Sequence, residues 1–182
     1  MSECISYEES YRVLQERGHF PEKDAPPLPP QLPGVQDEGP LGISFFRTLV
    51  GEEEPGLVED MGNMTLPRTF FGRTEVRQTS FKNTDLSESC LCWNDFIEVD
   101  FTKARLSGSD LRCSFYDHAL FVQADLSGAD LRRATFEACD FTGASMNGVK
   151  LTRDQRELLN LSQSQCEEIA WQDEDGEEPD GG

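Results

Sequence analysis

The sequence predicts an all-β solenoid with short α-helical caps and disordered acidic flanks, and three observations carry this. From Val76 to Leu151 every fifth residue is apolar or aromatic, sixteen positions without a break in register. Two residues before each, the side chain is often small: Thr74, Thr79, Thr84 and Ser89, later Ala124, Ala129, Ala134 and Ala144. One residue before, it is often Asp: Asp85, Asp95, Asp100, Asp110, Asp125, Asp130 and Asp140. Superposed on the step of five and its flanking residues is a superperiod of twenty. Val76, Phe81, Leu86, Leu91 is followed by Phe96, Phe101, Leu106, Leu111, then Tyr116, Phe121, Leu126, Leu131, then Phe136, Phe141, Met146, Leu151. A step of five fits neither a helix at 3.6 residues nor a strand at 2. Self-similarity at a fixed period marks a repeat architecture.

The units Ala124-Asp125-Leu126-Ser127-Gly128 and Ala129-Asp130-Leu131-Arg132-Arg133 closely follow the pattern small, Asp/Asn, Leu/Phe, Ser/Thr, any. Over residues 71–151 the chain resembles the pentapeptide-repeat family. The resemblance implies a right-handed quadrilateral β-helix, with one pentapeptide per side and four per coil. The small residue and the central Leu or Phe would then point inward. The superperiod agrees with four per coil, giving about four coils and a vertical stack of Phe81, Phe101, Phe121 and Phe141. Stacked rings add about 0.5–1.5 kcal/mol per pair beyond area burial. At about 4.8 Å between coils the rod would be on the order of 20 Å long.

The flanks divide into segments. In residues 1–20, Ser6-Tyr7-Glu8-Glu9 reads as a capping box opening a helix over 7–17 that stops at Gly18. Tyr7, Tyr11 and Leu14 share one face, expected to pack on the rod because so short a helix is marginal alone. Residues 21–40 are a proline-rich linker. Within it Lys23-Asp24-Ala25-Pro26-Pro27-Leu28-Pro29 has the spacing of a polyproline ligand, making Pro26, Pro27, Leu28 and Pro29 a candidate site for an SH3 or WW domain. Residues 41–70 hold an apolar stretch, Leu41–Val50, read as a docking segment, and are expected to cap the N-terminal end of the rod. Residues 152–171 carry two further capping boxes, Thr152 to Gln155 and Ser162 to Gln165, and read as a C-terminal helical cap. Residues 172–182 are an acidic tail, disordered by composition.

The chain has 182 residues and a net charge of −19, of which residues 71–151 hold −3 and each flank −8. The sign disfavours direct nucleic-acid binding. No membrane-spanning run and no basic, apolar leader is seen, so an intracellular place, cytoplasmic or nuclear, is expected, with reduced cysteines.

No catalytic residues are expected. A filled rod offers no pocket for converging polar groups, and His19 and His118 lie on different segments. The recurring Asp residues read as structural. Cys90 and Cys92 flank Leu91, with Cys113 one coil up; without a fourth ligand, no metal site and no cofactor is expected. Cys139 takes a small inward position.

The outer walls are more informative. The side of Leu91, Leu111 and Leu131 carries Trp93, Arg112, Arg132 and Arg133 outward, with Arg73 below and Arg153 above. Trp and Arg are enriched at binding hot spots, so these are candidate partner-binding residues. The alternatives are that Asp110 and Asp130 neutralise the arginines or that the acidic tail folds back onto them. On the next two sides Ile97, Phe115, Leu120 and Val122 form a candidate apolar docking patch. The economical expectation is that Leu41–Val50 lies over it; otherwise a partner should. The function expected is a non-enzymatic interaction module or adaptor with a protein partner. The rival is a DNA-mimic inhibitor of a type II topoisomerase or other DNA-binding protein, as some bacterial proteins of this family look to be. A rod charge of −3 argues against mimicry.

Overall fold

The computed structural model of the chain describes residues 4–19, 44–46, 49–50 and 59–173. Its elements in order are α1 (Tyr7–Glu16), β1 (Ser44–Phe46), β2 (Leu49–Val50), β3 (Glu59–Asp60), β4 (Phe70–Gly72), β5 (Glu75–Arg77), β6 (Thr79–Ser80), β7 (Asp95–Ile97), β8 (Phe115–Asp117), β9 (Thr135–Glu137) and β10 (Lys150–Thr152). A 3-10 helix (Arg153–Leu158), α2 (Gln163–Glu168) and β11 (Ala170–Gln172) follow.

The strands are short and pair in parallel at an offset of twenty: Val76 with Phe96, Phe96 with Tyr116, Tyr116 with Phe136. Isolated bridges repeat the offset on the other sides, as in Asp85 with Arg105 and Cys90 with Asp110. Four pentapeptides therefore make one coil, as the superperiod predicts. The core is the column of central residues; Phe81, Leu86, Leu91, Phe96 and their counterparts above are buried, save Phe136, which is half-buried. Phe81, Phe101, Phe121 and Phe141 stack with centroids 5.3, 5.1 and 4.8 Å apart and planes within 12°. Phe96, Tyr116 and Phe136 form a second stack at 5.1 and 5.4 Å. The two columns meet edge to face.

The square corners have a backbone cause. The residue two places after each central one has positive φ at every step from Asn63 to Gly148. None of these residues is β-branched, the class that tolerates such a conformation least. Below the corner, an inward residue that carries a polar side chain can donate to a carbonyl one coil down. Ser109 Oγ reaches the Leu86 carbonyl at 2.9 Å, and Ser114 Oγ reaches that of Leu91 at 2.8 Å.

The rod begins earlier than the repeat pattern indicates. Met61, Leu66 and Phe71 are buried beneath Phe81, Leu86 and Leu91, and Val50 is buried beneath Val76. One further coil thus lies below the predicted four. This corrects the expectation for residues 41–50. The described residues of that segment do not lie over the apolar patch; β1 and β2 extend the solenoid under β4 and β5. The offset here is 26, as in Ser44 with Phe70, which is why the five-residue step does not reveal it.

Helix α1 packs on this first coil. Ser10 and Leu14 are fully buried, whereas Tyr7 and Tyr11 are half-buried. Ser10 Oγ accepts the Thr65 N–H at 2.9 Å, and Thr65 Oγ1 donates to the Ile5 carbonyl at 2.7 Å. Ser6 caps the helix by accepting the Glu9 N–H at 3.2 Å. Glu9 points instead to Arg12, so the box is half made.

At the other end the two predicted capping boxes form the closure. Gln155 and Gln165 are buried and donate to carbonyls of the last coil: Leu131 and Ala134 for one, Phe141 and Ala144 for the other, at 2.8–3.1 Å. The expected helical cap over 152–171 is in part a strand. Trp171 lies in β11, in register above Leu151, so the C-terminal end adds one more parallel rung.

Candidate functional site

The wall built on Leu91, Leu111 and Leu131 has a regular outer face. The residues flanking each central position leave the same side of the strand, because side chains alternate along it. In successive coils these flanking pairs are Cys90 and Cys92, Asp110 and Arg112, Asp130 and Arg132, and Lys150 and Thr152.

Each Asp–Arg pair is a two-pronged ion pair within its own coil. Arg112 Nε and Nη2 stand 2.9 and 2.8 Å from the Asp110 carboxylate, and Arg132 stands 2.9 and 2.7 Å from that of Asp130. The hydrogen bond to Asp110 raises the Arg112 pKa against the opposing effect of burial. For Asp130 burial pushes the pKa up, but hydrogen bonds and charge from Arg132, with Arg112 adding, hold it below the usual carboxylate value. Arg132 Nη1 also donates to Gln172 Oε1 at 3.1 Å, and Arg153 pairs with Asp173 at 2.7 Å. The aspartate ladder therefore holds Arg112 and Arg132, and the start of the C-terminal segment meets Arg132 and Arg153.

Trp93 stands apart from this ladder. It occupies the corner after Leu91 with φ of 62° and is 66% exposed. Arg73 and Arg133 occupy the same corner in other coils, Arg153 opens the 3-10 helix above them, and all three are exposed. The described residues thus place a large aromatic ring on a rigid corner, in a column otherwise rich in guanidinium groups.

The four residues of the apolar patch sit on two walls. Phe115 and Ile97 lie on the wall of Tyr116, in adjacent coils, with Ile97 beneath Asp117. Leu120 and Val122 flank Phe121 on the neighbouring wall, beyond the corner that holds His118. Leu120 is 37% exposed; the other three are half-buried. His118 Nδ1 contacts the Asp117 carboxylate at 2.5 Å on the surface, and His19 Nε2 contacts Glu59 at 3.2 Å near α1. A groove of about 400 Å³ beside Leu120 is lined by Lys82, Glu98, Asp100 and His118. The proline motif at Pro26, Pro27, Leu28 and Pro29 and the acidic tail from residue 174 on lie outside the described residues.

The thiols group differently from the expectation. Cys90 Sγ and Cys92 Sγ are 3.4 Å apart, and the third ligand-bearing group is Asp110, with all three ligand atoms within 4.8 Å of one another. Cys113 is not in this group. The contact with Cys92 lowers the Cys90 pKa against burial, and the same contact pushes Cys92 up. Asp110 was visible in the sequence as the residue twenty places above Cys90.

The model of the family "Pentapeptide repeats" matches eight copies over residues 77–112 and 118–153. No curated protein sequence matches the chain. Among solved structures, a pentapeptide-repeat protein of the Arabidopsis thaliana thylakoid lumen is 29% identical. The likeness covers 54% of this chain and 69% of that one, with a TM-score of 0.53. HetL, a pentapeptide-repeat protein involved in heterocyst differentiation regulation in the cyanobacterium Nostoc, is 17% identical. The match covers 58% of this chain and 48% of HetL at a TM-score of 0.52, so the chain spans about half of that protein. QnrB1, a plasmid-mediated fluoroquinolone resistance protein, is 14% identical over 72% of this chain and 92% of that one. Its TM-score of 0.27 is too low to transfer anything. The eight repeat copies, the parallel coils and the folds of the first two neighbours agree: residues 77–153 carry pentapeptide repeats wound as an all-β, right-handed quadrilateral β-helix.

Proposed function

We propose that the chain is a non-enzymatic, intracellular protein-interaction module that recognises a protein partner through the wall carrying Trp93. The observation that supports this reading is the 66% exposure of that ring on a fixed corner. A Trp left in water gains nothing for the fold, whereas at an interface it is among the residues that most often dominate binding. The neighbouring column of Arg73, Arg133 and Arg153 suits a partner that offers an apolar cleft with acidic groups around it. Arg112 and Arg132 serve as the polar rim, already oriented by Asp110 and Asp130.

Quantitative affinity capture from the native cells tests this. Wild type is compared with Trp93→Ala, with Arg112, Arg132 and Arg133 changed to Glu, and with residues 21–40 deleted. The reading expects at least one partner that is lost with Trp93→Ala and with the Glu variant, and whose purified form binds wild type directly. An unchanged set of partners in all variants would remove both the wall and the proline segment as docking sites. Inhibition of a type II topoisomerase by the purified full chain would favour the DNA-mimic reading instead.

A further inference from the structure

We propose that Cys90, Cys92 and Asp110 form a binding site for one thiophilic divalent cation of the zinc class. Cys90 and Cys92 flank the inward Leu91, so both thiols leave the same wall, and their sulfurs already stand 3.4 Å apart. Two Zn–S bonds of about 2.3 Å at the tetrahedral angle need sulfurs about 3.8 Å apart. A small rotation about each Cα–Cβ bond supplies the difference.

The place these thiols occupy in the wall points to a cation. One coil up the same two positions hold Asp110 and Arg112, and two coils up Asp130 and Arg132, each an anion beside a cation. In the Cys90–Cys92 coil both positions are potential anions and neither is a cation. A divalent ion between two thiolates completes there the charge pattern that an arginine completes above. On binding, each thiol gives up its proton to solvent, so up to two protons leave as one M²⁺ enters, without any change of oxidation state.

Asp110 supplies the third ligand. It lies directly above Cys90 across a bridge of the ladder, and its carboxylate is within 4.8 Å of both sulfurs. Arg112 donates three hydrogen bonds to this carboxylate, through its backbone N–H, Nε and Nη2. A carboxylate has roughly four lone-pair sites, so one is left for a metal while Arg112 holds the group in place. The backbone is fixed on both rungs: the Leu91 N–H donates to the Asp110 carbonyl at 2.7 Å, and the Asp110 N–H to the Ser89 carbonyl at 2.9 Å. All three ligands are half-buried on an outward wall, which leaves a fourth position open to water. Two sulfur ligands select Zn²⁺ and Cd²⁺ over Mg²⁺ and Ca²⁺.

The test uses the full chain, reduced with a phosphine and titrated with Cd²⁺ while the ultraviolet thiolate-to-metal charge-transfer band is followed. Zn²⁺ affinity is then read by competition with a chromophoric chelator. The expected result is a band saturating at one equivalent in wild type. It should be lost at stoichiometric metal in Cys90→Ser and Cys92→Ser, and unchanged in Cys113→Ser and Cys139→Ser. Asp110→Asn should retain the band with affinity lowered by at least about tenfold. Unaltered thermal unfolding of the Ser variants without metal establishes that they fold. No saturable uptake by wild type, or uptake undiminished in the Cys90→Ser, Cys92→Ser double variant, would overturn the proposal.

Discussion

Gln155 places its side-chain nitrogen 3.0 Å from the Leu131 carbonyl, taking up at the top of the rod a bond that the repeat makes lower down. Inside the repeat that bond comes from a hydroxyl where the small inward residue carries one, as in Ser114 to Leu91. At the last coil no further repeat follows, and the amide of a capping-box glutamine replaces the hydroxyl. Its oxygen meanwhile accepts the N–H and the hydroxyl of Thr152, both at 2.9 Å. Gln155 is 3% exposed, so its truncation takes a donor from the Leu131 and Ala134 carbonyls and an acceptor from the Thr152 N–H and hydroxyl, all in a buried place. Gln155→Ala should destabilise by about 1–3 kcal/mol in urea unfolding. Gln155→Glu should cost more, because it replaces the donor with a carboxylate oxygen facing two carbonyl oxygens.

Tyr116 is the one polar group in the aromatic columns, and its hydroxyl has no hydrogen-bond partner among the described residues. The nearby Ser114 hydroxyl donates to the Leu91 carbonyl at 2.8 Å, and its oxygen accepts the Asn94 N–H at 3.1 Å. Tyr116→Phe should therefore keep the fold and stabilise it by up to about 1 kcal/mol. Burial raises the Tyr116 pKa well above its ordinary value. A raised folded pKa in an acid means the stability is complete below the unfolded value, about 10, and declines as pH rises beyond it. Urea midpoints of wild type should fall above about pH 10 more steeply than those of Tyr116→Phe.

Asp130 gives the opposite pH sign. Burial alone would raise its pKa, but the bonds from Arg132 hold it below the usual value. Its contribution is then present above the unfolded pKa of about 3.9 and is lost as pH falls through the lower folded value. The difference in urea midpoint between wild type and Asp130→Asn should be visible at about pH 7 and should shrink toward about pH 2.

The columns were legible because their residues recur at a fixed step: Phe81, Phe101, Phe121 and Phe141 could be stacked on paper and are stacked in the structure. The coil beneath them was not, for two local reasons. Met64 fills an inward position that the repeat keeps for small residues, hiding the step from Met61 to Leu66 to Phe71. The offset of 26 between Val50 and Val76 places β2 out of phase with everything after it. The glutamines were legible as helix caps, but not as donors to the rod, since a capping motif says nothing of what lies across from it. Pairing of Arg112 with Asp110 was one of two alternatives in the sequence; the strand register that puts both on one wall makes the pair.

Trp93 separates recognition from stability. Its ring is largely in water and its backbone is in the left-handed region, which glycine adopts without strain. Trp93→Gly should change unfolding free energy by less than about 1 kcal/mol in either direction. The same substitution should abolish binding of any partner that uses this wall, measured by calorimetry with the purified partner.

The central claim is that four pentapeptides close one coil, so that the inside is a filled stack and only the walls remain for function. It is tested most directly by deletions of different phase. Removing residues 117–136 takes out one whole coil, at the offset of twenty seen in the ladder, and should leave every column intact. Removing residues 117–121 turns everything above by one wall and sets Leu126 over Phe101. Thermal unfolding followed by circular dichroism should show a cooperative transition for the longer deletion and a far lower one, or none, for the shorter. If the shorter deletion were tolerated better than the longer, the stacked coil would be the wrong description of this chain.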